Sequence, residues 1–350
     1  MKFKKLVSLS TVFLLSSTML VGCGGSKSSK EVLNVYNVGD YIDESLIGKF
    51  EDETGIKVVY ETYDTNEAMY QKVKSGSSKY DLIFPSDYMV EKMIEEDMLQ
   101  ELDYNNIPNY KNINEDFKKA DYDKEAKYSV PYLWGTFGIL YNKTMVKEEV
   151  DSWNILWDKK YSGQIQMLDS VRDSVGIALK KLGYSMNSTN PKELEEAKKE
   201  LMKQKPLVQA YVNDEGKDRL VAEEAAMGIV YSGDALTLIE SNPNLEYATP
   251  KEGTNKWVDA MCIPKVAENK KEAEQFINFM LDPENAKVNV DYIGYSTPND
   301  AALKILDPKM RNSKIAYPAK EVLDKSEVFI NLPKDILKLY DDAWTEIKSE

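Results

Sequence analysis

The 350-residue chain has no histidine and only two cysteines, Cys23 and Cys262. Without histidine, Ser-His-Asp triads, Cys-His pairs and His-ligated zinc are excluded together. Neither a G-x-S-x-G elbow nor a G-x-x-x-x-G-K-[ST] phosphate loop occurs. The enzymatic class that survives is a surface glycosidase working with two carboxylates. Positive charge is in deficit, with 45 Lys and Arg against 59 Asp and Glu and a net charge of −14. That balance argues against nucleic acid or an anionic surface as partner and fits a cationic ligand. Hydrophobic residues make up 42% of the chain, enough for a well-packed globule. No internal repeat is visible.

What is present begins with a leader. Lys2, Lys4 and Lys5 precede an apolar stretch from Leu6 to Leu20, broken by Ser and Thr. This is the layout of a secretory signal, and it is too short and too interrupted for the about 20 apolar residues of a membrane span. It ends in Leu20-Val21-Gly22-Cys23, which resembles a bacterial lipobox and implies a lipid on Cys23 at the start of the mature chain. A plain cleaved signal is the alternative. Residues 1–22 are thus expected to be the signal and 23–30, with Gly24, Gly25 and five further Ser and Lys, a flexible tether. If Cys23 carries lipid, Cys262 has no partner, and no disulfide is expected despite export.

The rest of the chain exceeds what one hydrophobic core usually serves, so two domains are expected. Short apolar runs alternate with amphipathic segments, the signature of β-α-β units. A strand starts at Leu33 and Val35, a helix runs from Ser45 to Thr54 and stops at Gly55, and a β-branched strand follows over Ile56 to Tyr60. A helix over Thr65 to Lys74 stops at Gly76; a strand over Asp81 to Phe84 ends at Pro85; a helix covers Tyr88 to Met98. Ser129 to Tyr141 reads as one long extended stretch with Pro131 and Gly135 inside it, suited to crossing between domains. Further strands are expected over Gln164 to Leu168, Met227 to Tyr231 and Trp257 to Ile263. Helices are expected over Ser170 to Leu182, after Pro191, and over Lys271 to Leu281 before a break at Pro283.

Acidic and aromatic residues collect at the ends of these strands, where open α/β sheets place ligands. Asp40 and Tyr41 follow the first, and Ser86, Asp87 and Tyr88 the third. Asp169, Ser170 and Asp173 lie in "LDSVRD", Tyr231 ends a strand, Trp257 and Asp259 open the last, and Tyr295 lies in "IGYSTPN". Bland readings compete. Ser170 with Asp173 fits an S-x-x-D capping box, and Tyr231 and Trp257 fit core or rim aromatics. Asp259 is different, because a lone carboxylate within "WVDAMCI" is costly to bury without a partner. The 22 tyrosines invite a ferric-ion reading, but no Tyr-Tyr pair and no histidine support it. The sequons at Asn142 and Asn187 carry no functional reading in a bacterial lipoprotein.

Seven segments in order, "VYNVGDYID", "FEDETGIKVVYETYDTNEAMY", "YDLIFPSDY", "VPYLWGT", "ALKKLGYS", "KWVDAMCIP" and "IGYSTPN", resemble the spermidine/putrescine-binding proteins of polyamine ABC transporters over nearly the whole mature chain. The resemblance implies a two-lobed α/β fold of the type II periplasmic-binding-protein kind. Its discontinuous lobes would be 31–136 with 258–304 and 137–257 with 305–350, joined by hinge crossovers. It implies a monomer without cofactor or metal, anchored outside the cytoplasm through Cys23, that closes on a polyamine and delivers it to a membrane permease. By position, Asp40 matches an acidic contact, Tyr41 an aromatic wall, and Ser86 and Tyr88 polar contacts near one amine. Asp173 matches a carboxylate, and Ser170 stands where relatives often have Asp, leaving neighbouring Asp169 to take that role or none. Tyr231 stands for a common Trp, Trp257 and Tyr295 match walls, and Asp259 the central carboxylate. Val38 departs most, since the family usually has Trp there. A surface glycosidase using a pair from Asp40, Asp169, Asp173 and Asp259, and a binder of another cation or a sugar, remain the rival readings.

Overall fold

The computed structural model describes residues 31–213 and 215–349. The expected signal, Cys23 and the tether lie outside the described residues. Among those described, no helix is long and apolar enough to cross a membrane.

The chain opens with β1 (Val32–Val38), α1 (Ser45–Thr54), β2 (Lys57–Tyr63), α2 (Asn66–Ser75), β3 (Leu82–Ile83) and α3 (Asp87–Glu95). Turn chemistry sets these bounds. Gly55 and Gly76 close α1 and α2 in the left-handed conformation, with φ of 76° and 64°, and Thr65 caps α2 by accepting the Ala68 N–H. The apolar face of α1 buries Leu46 and Phe50, each contributing about 1.5–3 kcal/mol. After a short α4 (Glu115–Lys118) comes β4 (Ser129–Asn142), then β5 (Ile165–Leu168), α5 (Val171–Lys181), α6 (Pro191–Gln204), β6 (Val208–Val212), α7 (Glu215–Val221), β7 (Met227–Tyr231), α8 (Ser232–Ser241), β8 (Leu245–Ala248) and β9 (Lys256–Cys262). The C-terminal part is helical: α9 (Lys270–Met280), α10 (Pro283–Ile293), α11 (Asp300–Ile305), α12 (Pro308–Arg311), α13 (Lys320–Leu323) and α14 (Lys334–Ser349). Pro283 does end α9, and it also starts α10 as its first residue, where its missing N–H costs nothing.

The strands run in the order β2-β1-β3-β9-β4-β7-β5-β6, with β8 also on β4. The parallel pairs β1 with β2 and β3, and β5 with β6 and β7, are joined through antiparallel β9 and β4. Residues Ser129 to Thr136 of β4 pair with β9, and Phe137 to Asn142 pair with β7 and β8. One strand therefore serves two cores. Val130, Tyr132, Leu133 and Trp134 pack with the side chains of the first parallel set, whereas Phe137, Ile139 and Leu140 pack with those of the second. Pro131 cannot donate to the ladder, and the register slips between it and Leu133.

The C-terminal part packs against both cores in turn. Leu306, Met310, Tyr317, Leu323 and Val328 pack with the first core, and Phe329, Leu332, Tyr340 and Trp344 with the second. The segment is held by reciprocal backbone bonds between Glu327 and both Thr254 and Lys256.

Candidate ligand-binding site

The C-terminal ends of β1 and β3 point toward the middle of β4 from one half of the sheet and those of β5 and β7 from the other half, and β9 starts beside Gly135 at the same place. The short links there bring acidic and aromatic side chains together. Ala260 N–H donates to the Pro85 carbonyl at 3.0 Å, and Ser86 bridges Asp259 in antiparallel fashion, so β9 is pinned against the link into α3.

Three tyrosines each donate to a carboxylate. Tyr41 OH reaches Asp259 Oδ2 at 2.6 Å, Tyr231 OH reaches Asp173 Oδ2 at 2.9 Å, and Tyr295 OH reaches Asp234 Oδ2 at 3.1 Å. Their rings form one row with Trp257. Tyr41 and Tyr295 lie 6.0 Å apart, Tyr295 and Trp257 5.1 Å, and Trp257 and Tyr231 6.3 Å, all edge to face. Glycine makes the row possible at two points. A Cβ on Gly135 would stand 2.6 Å from the Trp257 ring, and one on Gly233 would overlap the Tyr295 ring.

Burial sets the electrostatics. It pushes the Asp259 carboxyl up to about 6, against the Ser86 and Tyr41 side chains that hold it down. It raises the Asp173 carboxyl too, opposed by Ser170 and Tyr231. Burial, then the neighbouring carboxylates, keeps Tyr41, Tyr231 and Tyr295 well above the usual phenol range, so all three remain donors. Asp259 Oδ1 and Trp257 Nε1 are buried with no hydrogen-bond partner among the described residues. A buried polar atom left so costs about 1–3 kcal/mol, and a ligand donor at Oδ1 would relieve one of these costs.

Of the residues singled out from sequence, Tyr41, Asp259, Trp257, Tyr295, Tyr231 and Asp173 form this row, with Ser86 beside Asp259. Ser170 caps α5 by accepting the Asp173 N–H at 3.4 Å, so the capping reading and the proximity to the row hold together. Val38 is half-buried at the end of β1, packed against both parts of the first core. Asp40 is exposed at φ 52°, in the turn before Tyr41. Tyr88 is half-buried, its OH 2.9 Å from Glu67. Asp169 stands apart: it is exposed and paired with Lys348 at 2.9 Å.

One acidic residue beside the row, Asp234, goes unnamed in the sequence reading, and a second, Asp87, is named there without a role. Asp234 lies in the first turn of α8, where an acid also reads as a partner of the helix dipole. Asp87, quoted within "PSDY" without a role, is 1% exposed and accepts the Val258 and Tyr88 N–H groups at 3.0 and 2.7 Å. Burial pushes its carboxyl up to about 8, with Asp259 adding to the rise. Among the described residues no group of three His, Cys, Asp or Glu is arranged to hold a metal ion. Cys262 is buried and makes no disulfide among the described residues.

Two α/β cores joined by crossing strands, with a buried row of carboxylates and rings at their junction, define a periplasmic-binding-protein fold of the two-lobed type. Residues 45–318 match the family model described as bacterial extracellular solute-binding protein. The spermidine/putrescine-binding periplasmic protein of Escherichia coli K12 is 39% identical over 297 residues, covering 84% of this chain and 85% of that protein. Its counterpart in Salmonella typhimurium is 37% identical over 339 residues, 96% and 97% of the two chains. The crystal structure of the spermidine/putrescine ABC transporter substrate-binding protein PotD from Streptococcus pneumoniae, in complex with calcium and HEPES, superposes with a TM-score of 0.84 at 43% identity, covering 91% of this chain and 98% of that one. The chain belongs to the extracellular solute-binding proteins, in the branch of the spermidine/putrescine-binding proteins, and is a binder rather than an enzyme.

Proposed function

We propose that this protein captures a polyamine, spermidine or putrescine, between its two lobes outside the cytoplasm and hands it to the membrane permease of an ABC importer. The observation that carries this reading is Asp259: a buried carboxylate with one oxygen on Tyr41 and the other without a partner, set in a row of rings. A linear polyamine alternates ammonium groups with methylenes. Each ammonium taken from water needs a carboxylate or hydrogen-bond acceptor. Rings cover methylenes and attract ammonium by cation–π contact. Seven spermidine methylenes at about 0.8 kcal/mol each give roughly 5 to 6 kcal/mol, against about 8 kcal/mol for micromolar affinity, so walls and charges both matter. The named substrates of the relatives support the same class.

The row draws on both cores, Tyr41 from the first and Tyr231, Asp173 and Asp234 from the second. Ligand touching both favours the closed arrangement, through its differential affinity for that state. In this reading the lobes are 31–136 with 258 to about 328, and 137–257 with the remainder. Lipid on Cys23, with the protein acting as a monomer, would hold it near its permease; stable anchoring takes two or more acyl chains. A glycosidase reading has nothing to support it in the relatives. Calorimetry with putrescine, cadaverine, spermidine, spermine and neutral sugars tests the proposal. The expected result is binding of one or more amines and of no sugar, with about 2.7 kcal/mol of added stability at 100 times the dissociation constant. Binding of a sugar and of no amine would overturn it.

A further inference from the structure

One carboxylate of the row carries a cation supplied by the chain itself. Lys217, on α7, places its Nζ 2.8 Å from Asp234 Oδ2, the same oxygen that accepts the Tyr295 hydroxyl. Both side chains are largely covered, at 29% and 22% exposure. Among the described residues, neither Asp259 nor Asp173 is in ion-pair contact with a lysine or arginine; their direct partners are phenols and hydroxyls, and Arg172 adds a weaker attraction at Asp173. A lysine ammonium is chemically the end group of a polyamine. Being tethered, it competes for Asp234 at a local concentration in the millimolar range that short links provide.

Resting on the polyamine reading above, we propose that Lys217 is a built-in ammonium that occupies Asp234 and so limits how many cationic groups of a ligand the row accepts. Asp259 and Asp173 are left for the ligand, which suits a diamine. A third ammonium, as in spermidine, would have to displace Lys217 or stay in a poorer position. The residue then sets specificity between diamines and longer amines without touching the ammonium that Asp259 holds.

The test compares dissociation constants for putrescine and spermidine in the full-length protein and in Lys217→Met, Lys217→Gln and Lys217→Arg, with melting temperatures to confirm folding. Removing the charge raises the potential for every amine, so the informative quantity is the ratio of the two constants. Lys217→Met and Lys217→Gln are expected to shift that ratio at least tenfold toward spermidine, Lys217→Arg to keep it within threefold of wild type, and Lys217→Met with Asp234→Asn to return it. A ratio that stays put in both neutral variants, or that moves equally in Lys217→Arg, overturns the inference while leaving polyamine binding intact. A wild-type protein that binds neither amine defeats the functional reading itself, a separately recognisable result.

Discussion

Replacing Asp259 by Asn is expected to stabilise the ligand-free protein and weaken its ligand binding, two effects of opposite sign from one carboxylate. Burial lifts that group from 3.8 to about 6. At about 1.4 kcal/mol per unit this is a penalty of about 3 kcal/mol on the ionised form. The folded value is raised, so the stability it contributes is complete below 3.8 and is lost as pH rises through about 6. At pH 8 the Asn variant escapes that loss and is expected to exceed wild type by about 1–3 kcal/mol in denaturant titration. Binding runs the other way. A ligand ammonium on Asp259 favours its ionised state, so wild-type affinity is expected to fall about tenfold per pH unit below 6, with close to one proton released on binding at pH 5. Removing one member of a buried charge pair costs about 2–5 kcal/mol, roughly thirtyfold to a few thousandfold in affinity at pH 7.5. Calorimetry in buffers of different ionisation enthalpy reads both affinity and proton release. Affinity of Asp259→Asn within threefold of wild type, or no proton release by wild type at pH 5, would refute the placement of an ammonium on this carboxylate.

Other expectations follow from neighbouring groups. Asp87 has a folded value of about 8, so its stabilising effect is complete below 3.8 and is lost as pH rises to about 8; the melting temperature of ligand-free protein is expected to keep dropping between pH 6 and 8 and to level off above, and Asp87→Asn to remove that drop. Val38→Trp adds a ring at the end of β1, and at about 0.5–1.5 kcal/mol for an aromatic contact spermidine affinity is expected to rise two- to tenfold in fluorescence titration; no gain would mean the position does not face ligand. In Gly233→Ala the new methyl meets the Tyr295 ring, so affinity is expected to fall at least fivefold by calorimetry while circular dichroism stays unchanged.

Much of the frame was legible because local chemistry and tertiary structure agree. Gly55, Gly76 and Thr65 act where turn and cap preferences place them, and the run from Ser129 crosses between cores as one strand. What was not legible depends on distance in the chain. β6 has only one fully buried residue and β8 is short, so neither shows an alternation that stands out. That Val328 and Phe329 pack into different clusters follows from packing that no periodicity reports. At the site, Asp259 was readable from its apolar setting, whereas Asp234 gains its meaning from Tyr295, 61 residues away. Asp169 and Asp173 could not be ranked by sequence, because one faces Lys348 and the other Tyr231, and only the geometry of the link after β5 decides which.

The most direct test of the whole account is a crystal structure with spermidine bound. The expected result places an ammonium within hydrogen-bond distance, about 3 Å, of Asp259 Oδ1, with methylenes along Trp257 and Tyr295. Density for the amine outside this row, with Asp259 Oδ1 still lacking a partner, would contradict it.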